Sequence, residues 1–248
     1  MKRINWQILL GFSLIALSAV LYLIHYAIFR DAHNIFFYLL LDIAFVPISV
    51  LLVTLIIHQL LNEREKRSRL NKLNMAIGVF FSEVGIKLLK SLATFDANSE
   101  KIRNDLIIKD NWKNSDFFLL ANKLKSYESK IDSQLGNLEG LRNFFGGKRD
   151  FLLRLLENPN LLEHETFTEM LWAVFHLAEE LSYRADVKKL SKPDYAHLSG
   201  DMKRAQGYLL TEWASYMKHL KARYPYLFSL AVRINPFDPT ASVEIKET

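Results

Sequence analysis

The chain has 248 residues, half of them hydrophobic, and its 32 lysines and arginines against 27 aspartates and glutamates give a formal net charge of +5. It has no cysteine, which excludes disulfides, iron–sulfur clusters, cysteine nucleophiles and zinc–thiolate sites. No basic helix is interleaved with aromatic residues beyond position 72, so we expect no nucleic acid partner.

Two long apolar segments open the sequence. Ile4–Phe29 contains no Asp, Glu, Lys or Arg, and Ile35–Leu61 contains one, Asp42. As helices of 26 and 27 residues, each would be ~39 Å long or slightly more, enough to cross a hydrocarbon core of about 30 Å. The short polar stretch Arg30–Asn34 then turns the second segment straight back. A cleaved signal peptide is the alternative for the first segment, but the apolar run continues ten residues past Ala19, longer than signal sequences require. The sequence predicts a transmembrane helical hairpin.

Most of the basic residues near this hairpin lie on one side of it. Lys2 and Arg3 precede the first segment, whereas Arg30 is the only basic residue before His33 in the connection. Because lysine and arginine near membrane helices favour the cytoplasmic side, we expect a multi-pass protein of the cytoplasmic (inner) membrane with both termini inside. We expect the bilayer and its anionic headgroups to be partners of a basic cluster that follows the second segment: Arg64, Lys66, Arg67, Arg69 and Lys72.

Asp42 is the ionisable residue inside the second apolar segment. It lies seven residues from Ile35, ~10 Å into the segment at 1.5 Å per residue, where a charge is costly. Pro47 follows five residues later and frees a backbone carbonyl. Asp42 could line a pore or relay protons, or it could form a local hydrogen bond to Tyr22 or Ser18 across the hairpin. We favour the local hydrogen bond.

The rest of the chain predicts an all-α cytoplasmic part, since apolar residues recur there at helical spacing. A membrane-proximal helix over residues 62–94 continues the second apolar segment. Its apolar side chains step by three and four residues, which is the pattern of an oligomerisation seam or of a face that packs on its own domain: Leu70, Leu73, Ile77, Phe80, Val84 and Leu88.

A helical domain over residues 95–234 and an irregular or flexible tail over residues 235–248 complete the chain. Within the domain, the pattern predicts helices at about Lys101–Ile108, Asp116–Ser133 and Leu138–Leu156, the last broken at Gly146. Ser191 followed by Pro193 and Asp194 is a helix start signal, and an apolar stripe continues from it to about Arg223. A further helix over Thr166–Val187 precedes this signal.

Four stretches together resemble a group of uncharacterised prokaryotic membrane proteins with two membrane helices and a helical cytoplasmic domain. The resemblance covers most of the chain and implies this architecture, but it implies no activity. The stretches are Phe45–Ile48 with Leu51–Ile57, Lys72–Gly85, Phe175–Leu181 and Tyr224–Ser229.

One constellation of residues points to chemistry. His176 and Glu180 are four residues apart, as are His197 and Asp201, so each pair shares a helix face. If the two helices are antiparallel about a turn near residue 190, the two pairs could face each other at the seam. They could hold Zn, Mn or Fe, or form a salt-bridge network with Arg184 and Arg204. We favour the network, with no metal and no cofactor.

The sequence contains no phosphate-binding loop, nucleophile elbow, zinc-protease motif or dinucleotide fingerprint. We therefore expect a non-enzymatic, homo-oligomeric membrane scaffold or sensor with a cytoplasmic helical domain. An oligomeric ion channel with Asp42 near its pore is the first alternative, since two membrane helices alone enclose no pore. A membrane-anchored metal-binding protein or metalloenzyme using His176, Glu180, His197 and Asp201 is the second.

Overall fold

A computed structural model describes residues 6–162 and 164–244, with the side chains of residues 7, 67, 69, 160 and 162 excepted. Lys2, Arg3 and the side chains of Arg67 and Arg69 therefore lie outside the described part. Every regular element within it is a helix, which confirms the all-α class. The α-helices are α1 (Trp6–Phe29), α2 (Ala32–Phe80), α3 (Ile86–Ala93), α4 (Ser99–Leu106), α5 (Asn114–Ser126), α6 (Leu138–Gly146), α7 (Arg149–Leu156), α8 (Pro159–Leu162), α9 (Glu165–Tyr183), α10 (Lys192–Arg223) and α11 (Pro225–Arg233).

The chain divides into two compact units, with the boundary between Lys66 and Arg67. We call the described parts of these units the apolar hairpin (residues 6–66) and the helical domain (residues 67–244). The helix α2 contributes residues to both units.

The apolar hairpin consists of α1 and the first part of α2, joined by only two residues. Arg30 adopts a left-handed backbone with φ of 48°, and its N–H donates to the carbonyl of Tyr26 at 2.8 Å. The Asp31 carboxylate accepts the backbone N–H of Asn34 at 3.1 Å, which satisfies a free donor at the start of α2. The connection is thus tighter than the expected five-residue stretch, because residues 32–34 already belong to α2.

The helical domain is built around α9 and α10, which pack against each other. The predicted apolar stripes of both helices face the core. Their buried members are Phe167, Leu171, Val174, Ala178 and Leu181 on α9, and Leu198, Met202, Ala205, Leu209, Trp213 and Leu220 on α10. Tyr216, also predicted in the α10 stripe, is half-buried. The helices α5, α11 and α3 cover α10, while α6, α7 and α8 cover α9. The start signal at Ser191 is confirmed, since its Oγ accepts the N–H of Asp194 at 3.3 Å.

The candidate seam over residues 70–88 belongs to this core. Leu73, Ile77, Phe80, Val84 and Leu88 are all buried within the domain, whereas Leu70 is 44% exposed. The helix changes to a π-helical turn at Phe81–Gly85 before α3, which continues the apolar face. The structure therefore supports packing of this face on its own domain, and only Leu70 of the six remains available to a second copy.

Two local expectations need correction. The predicted helix Asp116–Ser133 ends at Ser126, because residues 130–132 pair instead with the segment after α3: Ala97 N–H donates to the Lys130 carbonyl at 3.0 Å, and Asp132 N–H donates to the Phe95 carbonyl at 2.9 Å. Similarly, the helix expected over Thr166–Val187 ends at Tyr183.

The segment after α11 is irregular, as predicted, but its first residues are not loosely attached. Asn235 is buried and its side-chain amide donates to the Leu106 carbonyl at 2.9 Å. The ring of Phe237 meets Trp213 edge-on, with 5.2 Å between the ring centroids. Residues 245–248 of the expected tail lie outside the described part.

Candidate functional site

The four side chains of the sequence-predicted constellation come together on the helical domain. His176 and Glu180 lie on α9, and His197 and Asp201 lie on α10. The turn at residues 184–191 reverses the chain, and capping by Ser191 fixes where α10 begins. Because residues four apart share a helix face, this register aligns both pairs at the seam of the two helices.

The polar atoms of this group converge on a small volume. His197 Nε2 lies 3.3 Å from Asp201 Oδ2, and His176 Nε2 lies 3.5 Å from the same oxygen. The distance from His197 Nε2 to Glu180 Oε2 is 3.6 Å, and His176 Nε2 is 3.9 Å from Glu180 Oε1. All four distances exceed the 2.7–2.9 Å or so of a charge-assisted hydrogen bond. The groups are therefore close to one another without being bonded.

Asp201 is the buried member of the group. Its side chain is 3% exposed, whereas His176 and His197 are 45% and 53% exposed. Within the described residues, its Oδ2 atom is buried and has no hydrogen-bond partner. Since leaving a buried polar atom unpaired costs about 1–3 kcal/mol, this oxygen is the feature of the group that a purely structural network leaves unexplained.

Each of two arginines binds one oxygen of a carboxylate in this group. Arg204 Nη1 donates to Asp201 Oδ1 at 3.0 Å, and Arg184 Nη1 donates to Glu180 Oε2 at 2.6 Å. Arg184 also donates to Asp194 Oδ1 at 3.2 Å through its other amino group. The hydrogen bond from Arg184 lowers the pKa of the Glu180 carboxyl, against the opposing effect of burial. Both the predicted ion pairing and the convergence of the two imidazoles are thus present.

A metal ion is the ligand class that this geometry suits. One nitrogen from each of His176 and His197 and one oxygen from Asp201 all lie within 4.8 Å of one another. Two imidazoles and a carboxylate form a common three-ligand set for Zn²⁺ and for non-haem Fe²⁺. Glu180 is the nearest further carboxylate, and the exposure of both histidines leaves the group open to solvent.

The apolar hairpin contains a second polar group, around Asp42. A pocket between its two helices is lined by Asp42 together with Ser18, Tyr22, His25 and Tyr38. The structure thus brings Asp42 to the expected neighbours, but among the described residues the expected hydrogen bond to Tyr22 or Ser18 does not form. The sequence interpretation missed His25, whose Nδ1 atom is buried without a described partner. Its position 17 residues before Asp42 gave no signal, since the tight turn is what brings both residues to one pocket.

The basic cluster lies along α2. Arg64, Lys66 and Lys72 are exposed, and the side chains of Arg67 and Arg69 lie outside the described part. Exposed cations on one helix can contact an anionic surface.

A buried polar group that sequence reasoning did not identify surrounds Asp96. Its carboxylate accepts the hydroxyl of Tyr127, the side-chain amide of Gln206 at 3.3 Å and the backbone N–H groups of Asn98 and Lys130, each at 2.9 Å. These partners are 2 to 110 residues away in sequence, so no local pattern reveals them. They tie the segment after α3 to α10, which is a structural role.

Two family profiles match the chain. One, described as the C-terminal helical domain of uncharacterized protein MJ1433, matches residues 69–233, and the other, the N-terminal helical domain of MJ1433, matches residues 2–61. The chain is 46% identical over 243 residues to uncharacterized protein MJ1433 of Methanocaldococcus jannaschii, with 98% of this chain and 97% of that relative aligned. No solved structure matches the chain.

Proposed function

The chain belongs to the MJ1433 family of proteins with N- and C-terminal helical domains, and because this family implies no activity, we propose a function from the residues of the chain itself. The protein is an integral membrane protein without enzymatic activity. Its apolar hairpin spans the cytoplasmic membrane, and its helical domain acts in the cytoplasm as a sensor or scaffold.

The observation that carries this proposal is the exposure of the apolar hairpin. Two helices, Ile8–Phe29 and Ala32–Ala93, are long and apolar enough to cross a membrane by length and composition. Most large apolar side chains of residues 6–61 are exposed, from Trp6 at 71% to Leu61 at 58%. A continuous apolar surface of this extent is unfavourable in water and marks a membrane or protein contact. With about 20 apolar residues in each segment, a bilayer is the partner that fits.

The basic residues at the end of the hairpin support the proposed orientation. Arg64, Lys66 and Lys72 extend from α2 just beyond its apolar part, where cytoplasmic lysines and arginines are expected. In this orientation they meet the anionic leaflet, which attracts each basic side chain by about 1 kcal/mol.

Membrane fractionation tests the proposed insertion. We expect the full chain to stay in the membrane pellet after extraction with alkaline carbonate and with high salt, and to be released only by detergent. Release by salt alone would indicate a peripheral protein held by its basic residues, and would contradict insertion of the hairpin.

Self-association is part of the proposal, but it cannot use the seam suggested by the sequence. Five of those six side chains lie in the core of one copy. A second copy would have to cover other apolar side chains of α2, such as Leu70, Met75 and Val79, which are 44%, 64% and 50% exposed. Mass measurement in detergent and in nanodiscs gives the subunit number, and a monomer in both would remove homo-oligomerisation from the account.

An oligomeric ion channel is the second candidate, and the polar pocket at Asp42 favours it. An aspartate and a histidine that line one pocket of an apolar hairpin resemble the groups that conduct protons or set cation selectivity. Recording from planar bilayers tests this reading with wild type and Asp42→Asn, which keeps an oxygen acceptor and removes the charge. Because we favour a local role for Asp42, we expect no current from either protein. A wild-type current altered by Asp42→Asn would establish the channel.

A further inference from the structure

The geometry points to a binding site for one divalent transition-metal ion, with Zn²⁺ as the ion that fits best, at the seam of α9 and α10. The ligands are His176 Nε2, His197 Nε2 and Asp201 Oδ2. The remaining positions are open to Glu180 or to solvent. The site lies within the helical domain, so it does not depend on whether the hairpin spans a membrane.

The distances between the ligand atoms suit a bound ion. Zinc–nitrogen and zinc–oxygen bonds are about 2.0–2.2 Å, so ligand atoms around a tetrahedral zinc are about 3.3–3.6 Å apart. His197 Nε2 and His176 Nε2 are 3.3 Å and 3.5 Å from Asp201 Oδ2. These separations are too long for good hydrogen bonds between the groups and match the edges of a coordination tetrahedron.

The buried carboxylate supplies an independent reason. Asp201 is 3% exposed, and its Oδ2 atom has no hydrogen-bond partner among the described residues, although its Oδ1 atom accepts from Arg204. If the group served only to pair charges, the structure would be expected to satisfy both oxygens. An ion between Asp201 and the two imidazoles would satisfy Oδ2 and both Nε2 atoms together.

The nearby arginines do not occupy the ligand atoms. Arg204 binds the outer oxygen of Asp201, while Arg184 binds Oε2 of Glu180 and reaches away to Asp194. Glu180 Oε1, which is 3.9 Å from His176 Nε2, is left free of the arginine. Outer partners of this kind orient the carboxylates that bind a metal. The three carboxylates Glu180, Asp194 and Asp201 exceed the two arginines by one negative charge, which favours a cation.

The choice of Zn²⁺ follows from the ligands. Neutral imidazoles favour zinc and other transition ions over Mg²⁺ and Ca²⁺, which prefer oxygen ligands. With three protein ligands, at least one coordination position is left for Glu180 or water. Closure by Glu180 would give a sensing or structural site, whereas a retained water would give the open position that catalytic zinc sites have.

The test is a Zn²⁺ titration of the full chain in detergent, after treatment with EDTA and removal of the chelator, against a chromophoric competitor. We expect one Zn²⁺ per chain in wild type. We expect affinity to fall by more than about 100-fold in His176→Ala and in His197→Ala, since loss even of outer partners weakens metal sites 10–100-fold. Asp201→Asn should lose binding as well.

The matched control is His164→Asn. His164 caps α9 by accepting the N–H of Phe167, and asparagine is a good cap, so this variant removes an imidazole from the same helix pair without disturbing the site. It should bind Zn²⁺ like wild type. Thermal unfolding without metal checks that each variant is folded. Two results would overturn the inference: no saturable binding by wild type, or wild-type affinity in the folded double variant His176→Ala with His197→Ala.

Discussion

His197 Nε2 lies 3.3 Å from Asp201 Oδ2, a buried carboxylate oxygen that accepts no hydrogen bond within the described residues. Both residues are on α10, one helical turn apart, so their approach is set by that helix alone. His176 reaches the same oxygen from α9 at 3.5 Å. The packing of two helices therefore controls whether the group can bind an ion, and the stability of the domain and the function of the site are linked.

The hydrogen bond between Tyr127 and Asp96 should contribute measurably to that stability. Burial, and then the Asp96 carboxylate, raise the pKa of the Tyr127 hydroxyl, which therefore stays protonated and donates at neutral pH. Tyr127→Phe removes the donor while other donors to Asp96 remain, so we expect a loss of about 1–2 kcal/mol in the free energy of unfolding. Urea unfolding of the full chain in mild detergent measures it. Tyr183→Phe is the control, since Tyr183 is 80% exposed; an equal loss in both variants would contradict this account.

Gly85 permits the π-helical turn to pack against aromatic rings. A Cβ atom at this position would lie 2.4 Å from Cδ1 of Phe81, and the Phe81 ring is itself buried and stacked on Tyr216 with centroids 5.1 Å apart. We expect Gly85→Ala to destabilise the domain by about 1–3 kcal/mol through overpacking.

Gly207 provides the matched control for this substitution. It lies in the middle of α10, and a Cβ atom there would meet nothing within 4 Å. Gly207→Ala should therefore stabilise the helix by up to about 1 kcal/mol. Thermal unfolding of both variants measures the contrast, and a Gly85→Ala protein as stable as wild type would show that the turn can rearrange freely.

His219 should make the domain sensitive to mild acid. Burial, and then the charge of Arg223, lower the pKa of its imidazole, and its Nε2 atom is buried without a hydrogen bond in the described part. The folded state therefore binds a proton less readily than the unfolded state, whose histidine pKa is about 6.5. Stability due to this residue is present above that value and falls as pH drops from about 6.5 towards the lower pKa of the folded state.

We expect His219→Phe, which keeps a ring beside Tyr224, to reduce the loss of stability between pH 7 and pH 5.5. Unfolding free energies measured at several pH values test this expectation. An unchanged pH dependence in the variant would assign the acid sensitivity to other groups.

Leu73 distinguishes core packing from subunit assembly. Leu73 is 5% exposed and Met75, two residues away on α2, is 64% exposed. Leu73→Asp places a charge in the core and should cost more than about 2 kcal/mol of folding free energy, whereas Met75→Asp should leave folding nearly unchanged. Unfolding curves and subunit mass are measured together. If Leu73→Asp lowered the subunit number without lowering the stability of the domain, the seam would be an interface after all.

The sequence predicts some of these features well because they depend on local chemistry. The start of α10 follows from Ser191 and Pro193, and helical spacing combined with an antiparallel turn brings His176, Glu180, His197 and Asp201 together. The spacing cannot say which atoms remain unpaired, because that depends on where Arg184 and Arg204 place their guanidinium groups. The unpaired Oδ2 atom of Asp201 is the reason to interpret the group as a candidate metal site rather than as charge pairing alone.

Other features depend on distant partners and are not visible in the pattern. The periodicity of residues 70–88 identifies an apolar face but not what covers it, which proves to be the core of the same chain. The early end of α5 at Ser126 reflects pairing of residues 130–132 with Phe95 and Ala97. Likewise, the attachment of the final segment depends on Phe237 meeting Trp213.

Membrane topology is the most direct test of the proposed function. Paired reporter fusions, one that is active only outside the cytoplasm and one that is active only inside it, are made after His33 and after Thr248. Because most of the basic residues near the hairpin lie on one side of it, we expect the fusion after His33 to report an external position and the fusion after Thr248 to report a cytoplasmic one. A C-terminal fusion that reports an external position, or a His33 fusion that reports a cytoplasmic one, would contradict the membrane hairpin.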